Sequence, residues 1–164
     1  MARILIAAAL AAVTLSPGFA LAKTFPVSTP EDVFSAYKAI CLANPDDTAA
    51  QIATAKSAPY AMTLSREEGG DKTFENERMF AATKDEDGRR FCMVSGRLAD
   101  GTSIEEPGAL VDKVLPASVT RIGASENRIS WADPQAKPMR IFMYMQQDRN
   151  GQLIGSFMTG TIDK

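Results

Sequence analysis

Apolar residues recur at helical spacing early in the chain, where Val33, Phe34, Tyr37, Ile40 and Cys41 fall on one face. Thr29 stands before them as an N-cap, and Pro30 suits the first helical position. Glu31 and Asp32 occupy the turn where the helix dipole favours acids. Asn44-Pro45 ends the pattern. A second helix is expected from a cap at Asp46 or Asp47 to about residue 56, with Ala49, Ile52 and Ala53 on its buried side. Pro59 closes this stretch, and the two helices form a hairpin.

After a polar loop at 66–71 the pattern shortens to the alternation of strands. Strands are expected over 72–83 and 89–98, joined by a Gly-ended polar turn at 84–88. The second run is apolar on both faces, with Cys92, Val94 and Leu98 on one and Phe91 and Met93 on the other, which predicts a central strand. Pro107 opens a short third helix whose stripe is Leu110, Val111, Val114 and Leu115, and Pro116 ends it. Further strands are expected at 119–122, 127–131, 139–147 and 152–162, the last two joined at Asn150-Gly151 by a tight hairpin turn. Helices first and antiparallel strands afterwards predict an α+β fold, a helical hairpin packed on a sheet of about five strands.

The N-terminus changes the picture from a cytosolic chain to an exported one. Arg3 is followed by an apolar run over 4–15, interrupted only by Thr14, then by Ser16-Pro17-Gly18 and the small-residue exit Ala20-Leu21-Ala22. This is the layout of a cleavable secretory signal over 1–22. It falls short of the about 20 apolar residues that span a bilayer. The remaining chain, 23–164, reads as a single domain with no membrane span, and a periplasmic or secreted location follows. In such a compartment two cysteines read as one structural disulfide, Cys41–Cys92, which would tie the end of the first helix to a central strand. The spacing is unlike a C-x-x-C redox pair. A net charge of −2 gives no basic surface for nucleic acid.

Candidate chemistry is sparse. With no histidine in the chain, histidine-based nucleophile arrangements and zinc sites are excluded. Ser35-Ala36-Tyr37-Lys38 matches S-x-x-K, but the companion motifs of that enzyme class are absent and the chain is too short for its fold. Asp85-x-Asp87-Gly88 and Asp148-x-Asn150-Gly151 resemble the middle of a calcium loop, but Val94 and Phe157 stand where its closing Glu belongs. Both read as hairpin turns. Glu67, Glu68, Asp71, Glu75 and Glu77 cluster, and paired carboxylates can cleave glycosidic bonds, but this cluster sits in polar, solvated sequence. Arg89, Arg90 and Arg140 read as surface charges. Met139, Met143 and Met145 share a strand face with Ile141, with Met158 on the neighbouring strand. Such thioethers hold Cu(I) in some proteins and fill cores in most. Trp131 reads as core. No catalytic, cofactor or metal residue is assigned.

The signal segment, the helix pattern V-F-x-x-Y-x-x-I-C over 33–41, the Asn44-Pro45-Asp46-Asp47 step and a second cysteine in a mid-chain strand together resemble small exported proteins of unknown function in alphaproteobacteria. That resemblance implies no activity. The expected function is a non-enzymatic periplasmic protein that binds a protein partner or envelope component, an inhibitor being a special case of this class. A carboxylate-based hydrolase acting on envelope polymer is the alternative.

Overall fold

A computed structural model describes residues 24–86 and 89–162. The expected signal segment 1–22 and the turn residues Asp87 and Gly88 lie outside the described residues. Helix α1 (Pro30–Tyr37) starts as its sequence dictates, with the Thr29 hydroxyl accepting the Asp32 N–H at 3.1 Å. It widens without a break into a π-helical turn, Lys38–Leu42, closed by the Ala43 N–H donating to the Lys38 carbonyl at 3.0 Å. Helix α2 (Thr48–Lys56) is capped by the Asp47 carboxylate, which accepts the Ala50 N–H at 2.9 Å. Its buried residues are Gln51 and Ala55, while Ala49 and Ala53 are exposed. The expected stripe is therefore rotated. Gln51 can be inside because its amide donates to the Asn44 carbonyl at 2.8 Å.

The sheet has eight strands rather than about five: β1 (Thr63–Glu68), β2 (Asp71–Glu75), β3 (Met79–Glu86), β4 (Arg89–Arg97), β5 (Thr120–Ser125), β6 (Arg128–Asp133), β7 (Met139–Asp148) and β8 (Leu153–Ile162). Helix α3 (Glu105–Asp112) lies between β4 and β5 in the chain. It begins two residues before Pro107, which sits within its first turn. The strand order is β1-β2-β3-β4-β8-β7-β6-β5, with every pair antiparallel. Two four-strand meanders thus meet where β8 pairs with β4. The expected strand at 72–83 is two strands, because the Asn76 carboxamide accepts the Arg78 and Met79 N–H groups and turns the chain. The expected loop at 66–71 is a hairpin, β1 returning into β2 through Gly69-Gly70, both at positive φ. At 148–151 the expected tight turn is present. Arg149 and Gln152 exchange backbone hydrogen bonds around Asn150 and Gly151, both at positive φ.

The helices cover one face of the sheet. Alternation and register place Cys92, Val94, Phe157, Tyr144, Trp131 and Ala81 on that face. The disulfide Cys41–Cys92 joins the π turn to the middle of β4, with 5.6 Å between the Cα atoms. Around it Phe34, Tyr37 and Tyr144 surround the Phe157 ring, at centroid distances of 5.2, 5.6 and 4.7 Å. The Tyr37 hydroxyl donates to the Met158 carbonyl at 3.1 Å. On the far face no helix among the described residues packs. Residues 24–28 approach it at β4, where the Arg97 guanidinium donates to the Phe25 carbonyl at 3.2 Å. None of the described helices is long and apolar enough to cross a membrane.

Candidate functional site

Five of the charged residues singled out in the sequence, Glu67, Glu68, Asp71, Arg90 and Arg140, form ion pairs with their neighbours. Glu67 pairs with Lys72 at 3.1 Å, Asp71 with Lys84 at 3.2 Å, and Glu68 with Arg66, all on the outer hairpin and its neighbour. Glu67, Glu68, Asp71 and Glu77 are exposed and Glu75 is half-buried. Arg90 and Arg140 do come together, around Asp46 of the Asn-Pro-Asp-Asp step. Arg140 reaches both its carboxylate oxygens at 2.7 Å and Arg90 lies at 3.9 Å. Asp85 adds a second carboxylate at 3.5 Å from Arg90. This network ties the α1–α2 connection to β3, β4 and β7, while Arg89 is exposed. Trp131 is core, as expected. Its indole N–H donates to Asp112 at 2.6 Å and Arg121 lies over its ring. The Asp148 carboxylate accepts the Gly151 N–H at 3.0 Å, as a turn residue does. Among the described residues no group of His, Cys, Asp and Glu is placed to hold a metal ion.

Ser35 and Lys38 are brought to one surface, together with residues the sequence did not mark. They edge a groove of about 400 Å³ formed by α1, the π turn, the α2–β1 connection and the segment after α3. Its apolar lining is Ala39, Leu42, Ala43, Tyr60 and Val114. The π turn supplies three of the groove residues, Lys38, Ala39 and Leu42. Single π turns inside α-helices recur at functional sites because the wider turn displaces side chains from the regular spiral. Behind the groove the same turn is fixed to the sheet by Cys41.

Tyr60 is positioned by backbone rather than by sequence pattern. Its N–H donates to the Ser57 carbonyl at 3.0 Å, and Asn76 donates to its carbonyl at 2.8 Å. Its hydroxyl reaches the Ser35 carbonyl at 3.4 Å. Val114 corrects an expectation. The sequence places it in the helical stripe of the third helix, but α3 ends at Asp112 and Val114 is 39% exposed. At its last residue the Asp112 carboxylate accepts from the Trp131 indole and the Arg121 guanidinium.

Lys38 is the one charged residue lining the groove. Both Ser35 and Lys38 are exposed, so the S-x-x-K pair lacks the enclosure that a general-base lysine requires. What remains is a surface suited to holding an apolar group beside an anion. The methionines lie elsewhere, on the far face. Met139, Met143 and Met145 share it with Met158, and the register adds Met93.

Against protein-family models, curated proteins and solved structures, the chain finds no match.

Proposed function

We propose that the chain is an exported, non-enzymatic binding protein that receives a protein partner or envelope component in the groove beside the π turn. The observation that carries this reading is the lining itself, apolar side chains with the single cation Lys38, in a chain of net charge −2. A partner that seats an apolar side chain flanked by a carboxylate complements it in shape and charge. The disulfide behind the groove keeps its wall from adjusting, which lowers the ordering cost of binding. The carboxylate hydrolase gains no support, since three of its candidate acids, Glu67, Glu68 and Asp71, are exposed and ion-paired.

A photoreactive amino acid at Ala39, carried by the full chain in its own cells, tests the reading. A discrete adduct from Ala39, absent when the probe is at Ala124 on the exposed edge strand β5, is the expected result. Equal labelling from both positions, or none from Ala39, contradicts it.

A further inference from the structure

We propose that Met93, Met143 and Met158 form a site for a monovalent copper ion on the face of the sheet opposite the helices. The three residues are direct cross-strand partners. Met93 on β4 faces Met158 on β8, and Met158 faces Met143 on β7. They therefore project from one face in a row perpendicular to the strands. Directly opposed residues have Cβ atoms about 4.5–5.5 Å apart. An unbranched thioether with three torsions spans that gap easily, so the outer two sulfurs can lean over β8 to meet the third.

The neighbours leave room for this. The row ends in small residues, Ala82 beyond Met93 and Ser130 beyond Met143. Along β8, Met158 stands between Ser156 and Gly160, and Gly160 is flanked across the strands by Phe91 and Ile141, which wall that side of the row. Met143 and Met158 are half-buried and form the open end of the row, while Met93 at its β4 end is buried, 4% exposed. Three neutral, soft donors with no imidazole or carboxylate among them select Cu(I) over zinc or the hard divalent ions. The chain holds no histidine, and among the described residues no free cysteine competes for the ion.

Thioethers carry no proton at any ordinary pH, so binding releases none. Affinity should be the same at about pH 5.5 and pH 7.5, unlike that of imidazole, thiolate or carboxylate sites. The test is anaerobic competition of the oxidised chain against a chromogenic Cu(I) chelator, with the disulfide checked by intact mass. One Cu(I) per chain is expected, with affinity independent of pH. Affinity should fall by about tenfold or more in Met158→Leu and remain unchanged in Met79→Leu. Leu replaces Met at nearly constant volume, so both variants keep the fold, and circular dichroism verifies it. Failure to take one equivalent from the chelator overturns the proposal. So does wild-type affinity in Met158→Leu, or binding that weakens steeply as pH falls. The site is remote from the groove, so either result leaves the binding-protein reading where it stood.

Discussion

Gly155 sits opposite Gly96 on the neighbouring strand, and together they make a flat place in the sheet at the point where β4 and β8 meet. A Cβ at Gly96 would lie 2.7 Å from Val33 of α1, and one at Gly155 would lie 2.5 Å from Leu98 and 3.0 Å from the Tyr144 hydroxyl. Gly155→Ala should therefore destabilise the fold by about 1–3 kcal/mol through overpacking, read as a lower urea midpoint; an unchanged midpoint would mean that Leu98 moves aside freely. Two buried phenols give a second prediction at this scale. Burial raises the pH at which Tyr37 and Tyr144 ionise well above the ordinary tyrosine value. The unfolded chain loses those protons from about pH 10 while the folded chain retains them, so each tyrosine contributes stability that is full below about pH 10 and falls by about 1.4 kcal/mol per pH unit above it. Urea midpoints from pH 8 to 11 should show the decline, shallower in Tyr144→Phe; a flat profile contradicts it. The inward residues of α1 were legible because a strong apolar stripe fixes their face. Gln51 was not, since its burial depends on a carbonyl made available by the fold.

At the scale of elements, the disulfide was readable from two cysteines in an exported-looking chain, and so was its effect of fastening the helical layer to a central strand. It closes a loop of 51 residues, for which loop entropy gives about 4 kcal/mol. Cys41→Ser with Cys92→Ser should lose stability of that order and expose the α1–α2 hairpin to trypsin. Resistance equal to the wild type would mean that the aromatic cluster alone holds the layer. Other elements escaped the sequence for physical reasons. Strand β1 is an exposed edge with polar residues on both faces, so it has no alternation to detect. Strands β2 and β3 merge in the pattern because their turn is made by the Asn76 side chain rather than by Gly or Pro. The π turn has no signature of its own. It keeps the apolar stripe of α1 while changing where Lys38 and Leu42 point.

Across the whole molecule, the division into helices first and antiparallel strands afterwards was sound, but the pairing of β4 with β8 joins segments far apart in sequence, which alternation cannot foresee. The same holds for the groove, whose walls come from four separate parts of the chain, and for the methionine row, where only the register brought Met93 to Met158. The two candidate surfaces lie on opposite sides of the sheet, one among helices and one that none of the described helices covers, so they can be occupied independently. The binding groove is the central claim, and native mass spectrometry of the full chain recovered from its own cell envelope tests it most directly. The comparison is wild type against Val114→Glu, which puts a carboxylate into the groove at an exposed position and leaves the core untouched. A defined complex with the wild type, lost in the variant while its disulfide-bonded mass persists, is the predicted result. The same complex in both, or a wild-type chain with nothing bound, contradicts it.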